Sequence, residues 1–160
     1  MNYDHYANLR FTEDYHLFLF YSIGPKGNLK KIVAYTELKN LPGSFNLGFG
    51  TLKTARDGSE YVDDNEISDN NDRNKLLATI ALTVYAFTNK YPYKKIYLRG
   101  NDKIRTRLYQ MAINHAYVEL SENFIILGDK AEIAGTYDLH PFERGINYTG
   151  FLVQKKLSGL

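Results

Sequence analysis

KKIYLRGNDKIRTRLYQMAINHAY, residues 94–117, reads as a short strand, a glycine turn and an amphipathic helix. Ile96–Arg99 has the β-branched and aromatic character of a strand, and Gly100 interrupts it. Asn101 or Asp102 then caps a helix running to about Tyr117, because a short side-chain oxygen accepts from a first-turn N–H that has no partner within the helix. At about 100° per residue, Ile104, Leu108, Met111 and Ala112 fall on one apolar stripe, with His115 in its middle. That stripe is expected to pack on the core, with His115 as a hydrogen-bonded core residue. Arg105 lies at the stripe's edge, and Arg107 and Gln110 point to the polar side.

The front half supplies the sheet. Tyr15–Ile23 and Leu29–Leu38 are rich in aromatic and β-branched residues around Gly24-Pro25-Lys26-Gly27-Asn28, a hairpin signal. Phe45–Leu52 predicts a third strand, weakened by Gly48 and Gly50. Residues 53–71 read as a long acidic loop. Asn70, Asn71 and Asp72 cap a first helix, whose Leu76, Leu77, Ile80, Ala81 and Val84 recur at helical spacing until Tyr91-Pro92 ends it. Phe124–Leu127 and Tyr148–Lys155 close the chain as strands, with Gly128–Gly145 an irregular stretch between them that has room for one more strand. The predicted order is β-β-β-α-β-α-β-β: an α+β fold, one domain over residues 1–160, with an antiparallel or mixed sheet against two main helices.

Composition narrows the function classes. The chain has 160 residues, no cysteine and a formal net charge of +2, so neither a disulfide framework nor a thiolate zinc site is available. The N-terminus lacks the apolar core of a signal peptide, and the apolar run Leu76–Phe87 is shorter than the roughly 20 residues that span a bilayer. A cytoplasmic protein without membrane association is the expectation. Charge is unevenly spread: residues 57–72 hold seven acidic side chains and no Lys or Arg, and the rest of the chain carries a balance of +9. A positive body of this kind attracts a polyanion.

Reactive side chains and pattern coincide at the start of the second helix. Arg99, Gly100, Asn101, Arg105 and Arg107, with His115 further along, are the candidate anion- or ligand-binding residues. Helix N-termini offer oriented donors and partial positive charge, and a guanidinium binds a pair of phosphate oxygens with parallel bonds. Asp102 competes as the cap. His5, His16 and His140 show no metal-ligand spacing, and no serine sits in a nucleophile elbow. No catalytic residue, metal or cofactor is expected. Tyr15, Tyr21, Tyr35, Tyr93, Tyr97 and Tyr148, interleaved with Lys30, Lys31, Lys94 and Lys95, would stack single-stranded nucleic acid if exposed on the sheet.

Two resemblances follow from these residues. GPKGNLKK, FNLGFG, LLATIALTVYAF, RTRLYQMAIN and PFERGINYTGFLVQKK together resemble a family of uncharacterised domains found mainly in Bacteroidota, over nearly the whole chain; this implies one small intact domain and no assigned activity. The element order, with Leu98, Asn101, Leu108, Tyr109 and His115-Ala116-Tyr117, is similar to the C-terminal part of the acyl-CoA-dependent N-acetyltransferase fold. Residues 68–74, Ser-Asp-Asn-Asn-Asp-Arg-Asn, hold no glycine and two carboxylates where that fold cradles a pyrophosphate. The leading expectation is a non-catalytic binding protein whose basic surface engages nucleic acid or a protein partner, with self-association left open. The alternative is an enzyme-like or degenerate acetyltransferase-like domain holding a phosphorylated or coenzyme-A-type ligand.

Overall fold

Alternating burial along the front strands, and helical spacing behind them, produce twelve elements in the computed structural model, which describes residues 4–63, 70–100 and 102–157. In chain order these are β1 (Arg10–Phe11), β2 (Leu17–Gly24), β3 (Gly27–Glu37), β4 (Ser44–Thr54), β5 (Glu60–Asp63), α1 (Arg73–Lys90), β6 (Lys95–Leu98), α2 (Lys103–His115), α3 (Tyr117–Asn123), β7 (Phe124–Asp129), β8 (Leu139–Pro141) and β9 (Gly150–Lys155). The fold is α+β with mixed strand pairing, as expected. The predicted order holds, with β1, β5, α3 and β8 added to it.

The chain divides into two compact units. The first comprises residues 1–35 and 48–87. Here β2 and β3 pair antiparallel with Gly24 opposite Gly27, leaving Pro25 and Lys26 as the turn. Gly27 has a left-handed φ of 89°, which favours glycine. Phe18, Phe20, Val33 and Tyr35 alternate inward, as period two requires. The Tyr35 ring stacks on Phe87 of α1 at 4.3 Å, and its hydroxyl shares a 2.8 Å hydrogen bond with Thr83. Asn70 pins the hairpin: its carbonyl oxygen accepts from Lys26 N at 2.7 Å, and its amide donates to Gly27 O at 3.0 Å. A side chain at Gly24 would collide with Asn70, so this glycine is required by close approach.

One expectation is corrected in this unit. Residues 53–71 are not one long loop. β4 continues to Thr54, the turn is closed by Ala55 N donating to Ser59 O at 2.7 Å, and β5 returns antiparallel on β4. Residues 64–69 of that stretch lie outside the described residues.

The second unit comprises residues 36–47 and 88–160. The first residues of β4 pair parallel with β6. β9 lies between β6 and β7, antiparallel to both, and β8 pairs with β7. Phe151, Leu152 and Val153 of β9 are buried with Ile96, Tyr97 and Leu98 of β6 and Phe124 and Ile126 of β7. Run length rather than alternation marks β6 and β9, since consecutive residues are buried on both faces, whereas β7 exposes Ile125 between buried Phe124 and Ile126.

Candidate functional site

The predicted corner at the start of α2 uses two of its backbone donors internally. Gly100 is packed so closely on the helix that a Cβ there would lie 2.5 Å from Thr106 N. Its own N–H donates to Thr106 Oγ1 at 3.0 Å. Asp102 caps the helix by accepting from Arg105 N at 2.7 Å, the geometry expected of a carboxylate at that position. The amide donors of Gly100 and Arg105 are therefore already used. Asn101 lies outside the described residues.

The three arginines sit in different environments. Arg105 is 8% exposed on the packed face of α2, beside Tyr109. Burial pushes the Tyr109 hydroxyl up to about 12, and the Arg105 charge opposes that rise. Arg107 is exposed, about 200° further around the helix. Arg99 directs Nη2 toward Glu132 O at 3.5 Å, and its Nη1 is buried without an acceptor among the described residues. His115 is exposed rather than a core residue.

The reason is a reversal of α2. Its inward face is Arg105, Thr106, Tyr109, Gln110 and Ile113. Gln110 decides the orientation: its amide donates to Ile146 O at 2.5 Å while its oxygen accepts from Tyr148 N at 3.3 Å. Two backbone groups of the 146–148 segment are thereby satisfied, and unpaired buried backbone groups are expensive. The apolar stripe consequently points outward: Ile104 is 62% exposed, Met111 50% and, in α3, Val118 67%. With the half-buried Leu108 and exposed His115 they recur at intervals of four, three, four and three residues. Exposed Lys103 and Arg107 border this stripe, and α2 contains no acidic residue. At the α2–α3 junction Arg144 stands over the Tyr117 ring at 5.0 Å.

A buried carboxylate that the sequence reading missed lies in the second unit. Asp129 is fully buried; it accepts from the Tyr97 hydroxyl at 2.6 Å and from Ala131 N and Asp138 N, each at 2.9 Å. Burial first, and the bond to Asp129 second, push the Tyr97 hydroxyl well above its usual 10.0, against the opposing charge of Arg99. Gly150 must be glycine here, since a Cβ would sit 2.5 Å from the Tyr97 oxygen. The arrangement is a clamp holding residues 131–138 to β7. In the first unit Asp72 plays a similar part, accepting from the Tyr6 and Ser22 hydroxyls at 2.5 Å each. Lys31, 2% exposed, donates to Thr51 Oγ1 at 2.6 Å.

The condition for an aromatic platform, exposure on the sheet, is met by few of these tyrosines. Tyr35, Tyr97 and Tyr148 are buried, Tyr15 is half-buried, and Tyr21 and Tyr93 are exposed in different units. His16 lies against Asp14 at 3.2 Å and His140 against Asp138 at 2.9 Å. Among the described residues no three metal-ligating side chains converge, and no helix is long and apolar enough to cross a membrane.

Fold and surface together define an α+β protein with an outward apolar helix stripe bordered by cations. Over residues 2–156 the chain matches the family described as a family of unknown function, DUF6934, and it belongs to that family. No curated protein and no solved structure matches it.

Proposed function

We propose that this is a non-catalytic binding protein that engages a protein partner through the outward face of α2. The observation that carries the reading is the exposure of Ile104 and Met111 on one face of α2, with the half-buried Leu108 between them. Exposed apolar side chains scattered singly need no explanation, whereas a contiguous row rimmed by polar groups marks an interaction surface. A helix has a strong drive to bury such a row, and here the buried face is instead the one that carries Thr106, Tyr109, Gln110 and Ile113. The polyanion expectation is less well supported, because Arg105 is buried and the Gly100 and Arg105 amides have internal partners.

The test is size-exclusion chromatography of a native-cell extract, comparing wild type with the double variant Ile104→Asp/Met111→Asp. Wild type is expected in a larger complex that survives nuclease treatment, with the variant running free. Monomeric elution of both proteins would remove the proposal. A complex dissolved by nuclease would transfer it to nucleic acid.

A further inference from the structure

We infer that the partner segment is an acidic amphipathic helix, about three turns long, lying along the α2 seam. This rests on the reading of α2 as a protein-binding face and adds the chemistry of what it binds. Two features specify the occupant. The first is spacing: Ile104, Leu108, Met111 and His115 alternate by four and three residues, the row that receives another helix by side-chain interdigitation. From Ile104 to His115 the seam is ~16 Å long, which sets the length of the docked segment.

The second feature is charge complementarity. Lys103 and Arg107 are both exposed beside the seam, and no acidic side chain occurs between residues 103 and 115. A helix whose apolar row meets Ile104, Leu108 and Met111 therefore encounters only positive charge along α2 itself, and carboxylates on its flanks are the complementary choice. The same asymmetry disfavours a second copy docked in parallel, because two parallel α2 helices would bring Lys103 and Arg107 against their like. A lipid surface is also disfavoured: membrane-lying helices bury Trp, Phe and Leu on a broad apolar face, and this seam is narrow and holds neither Trp nor Phe.

The experiment places p-benzoylphenylalanine at Met111, and separately at Ile104, in the full chain, and irradiates it in the native cells. The adduct is then mapped by mass spectrometry, with and without Lys103→Glu/Arg107→Glu. Support is an adduct on a net-negative amphipathic segment whose yield falls about tenfold on charge reversal. An adduct on a basic or neutral protein segment, or one indifferent to charge reversal, overturns the inference and leaves the protein-binding reading standing. Self-adducts at both positions also overturn it. Adducts only to nucleic acid or lipid, or none at either position, remove both readings.

Discussion

At the scale of single residues, the chain keeps its polar groups inside by pairing carboxylates with hydroxyls. Asp129 with Tyr97, and Asp72 with Tyr6 and Ser22, are separate instances. Neither was legible in the sequence, because the partners lie 32 and 66 or 50 residues apart and only the tertiary fold brings them together. These clamps have a pH signature. The hydroxyls of Tyr97, Tyr109 and Tyr6 are all raised above 10.0, chiefly by burial. An unfolded chain releases such protons near its ordinary value while the folded chain retains them, so the unfolded state binds fewer protons above that value. Stability is then fully present below about pH 10 and declines as pH rises toward the folded values, with a slope of about 1.4 kcal/mol per pH unit for each fully coupled group. Urea unfolding between pH 8 and 11, on wild type and Tyr97→Phe, tests this. The variant should lose roughly 1.5–3 kcal/mol at neutral pH, as expected for a hydrogen bond to a charged group, and show a shallower alkaline decline. An identical alkaline slope in both proteins would refute the assignment to Tyr97.

At the scale of elements, position was more readable than orientation. The β2–β3 hairpin follows from Gly24-Pro25-Lys26-Gly27, α1 ends where Tyr91-Pro92 requires, and Asp102 caps α2 as its side chain dictates. The facing of α2 was not readable, because hydrophobic period assigns the inside to Ile104, Leu108 and Met111. What overrides it is polar: Gln110 satisfies a donor and an acceptor of the 146–148 backbone, which no periodicity encodes. β5 escaped notice for a related reason, since Glu60, Tyr61 and Val62 are all exposed and show no inward alternation. The orientation predicts an inverted mutational pattern. Ile113→Ala should destabilise by about 2–5 kcal/mol, as for a buried isoleucine, while Met111→Ala and Ile104→Ala should stay within about 0.5 kcal/mol. Asp102→Ala should cost about 1 kcal/mol through loss of the cap. Chemical denaturation of the four variants discriminates: a Met111→Ala loss above about 2 kcal/mol would place the stripe inside after all.

At the scale of the whole molecule, composition was a sound guide to class and a poor one to mechanism. It excluded thiol chemistry, but the acidic stretch read as one long loop. In the structure Asp57 accepts from the backbone and side chain of Ser59, Asp63 pairs with Lys53 at 2.9 Å, and Asp72 is clamped by Tyr6 and Ser22, so these charges brace local structure. The same logic of bracing predicts where the molecule opens last. Backbone amides exchange with solvent only when their hydrogen bonds break, and the energy needed rises with burial and with the number of strands that must separate. β9 is bonded on both edges, to β6 and to β7, and Phe151, Leu152 and Val153 are buried. β1 has only two residues, both exposed, and β8 has three, with Pro141 at its end, as suits an edge strand. Hydrogen exchange followed by mass spectrometry should therefore find residues 151–153 the slowest of the second unit, exchanging only when that unit unfolds globally. β8 should exchange by local fraying, orders of magnitude faster, and unfold independently of denaturant at low concentration. Tyr97→Phe, by loosening residues 131–138, should speed exchange in β8 and leave the ranking of β9 unchanged. Fast exchange at Phe151–Val153 in the wild-type protein would show that the register of β6, β9 and β7 is not the one that holds this unit together.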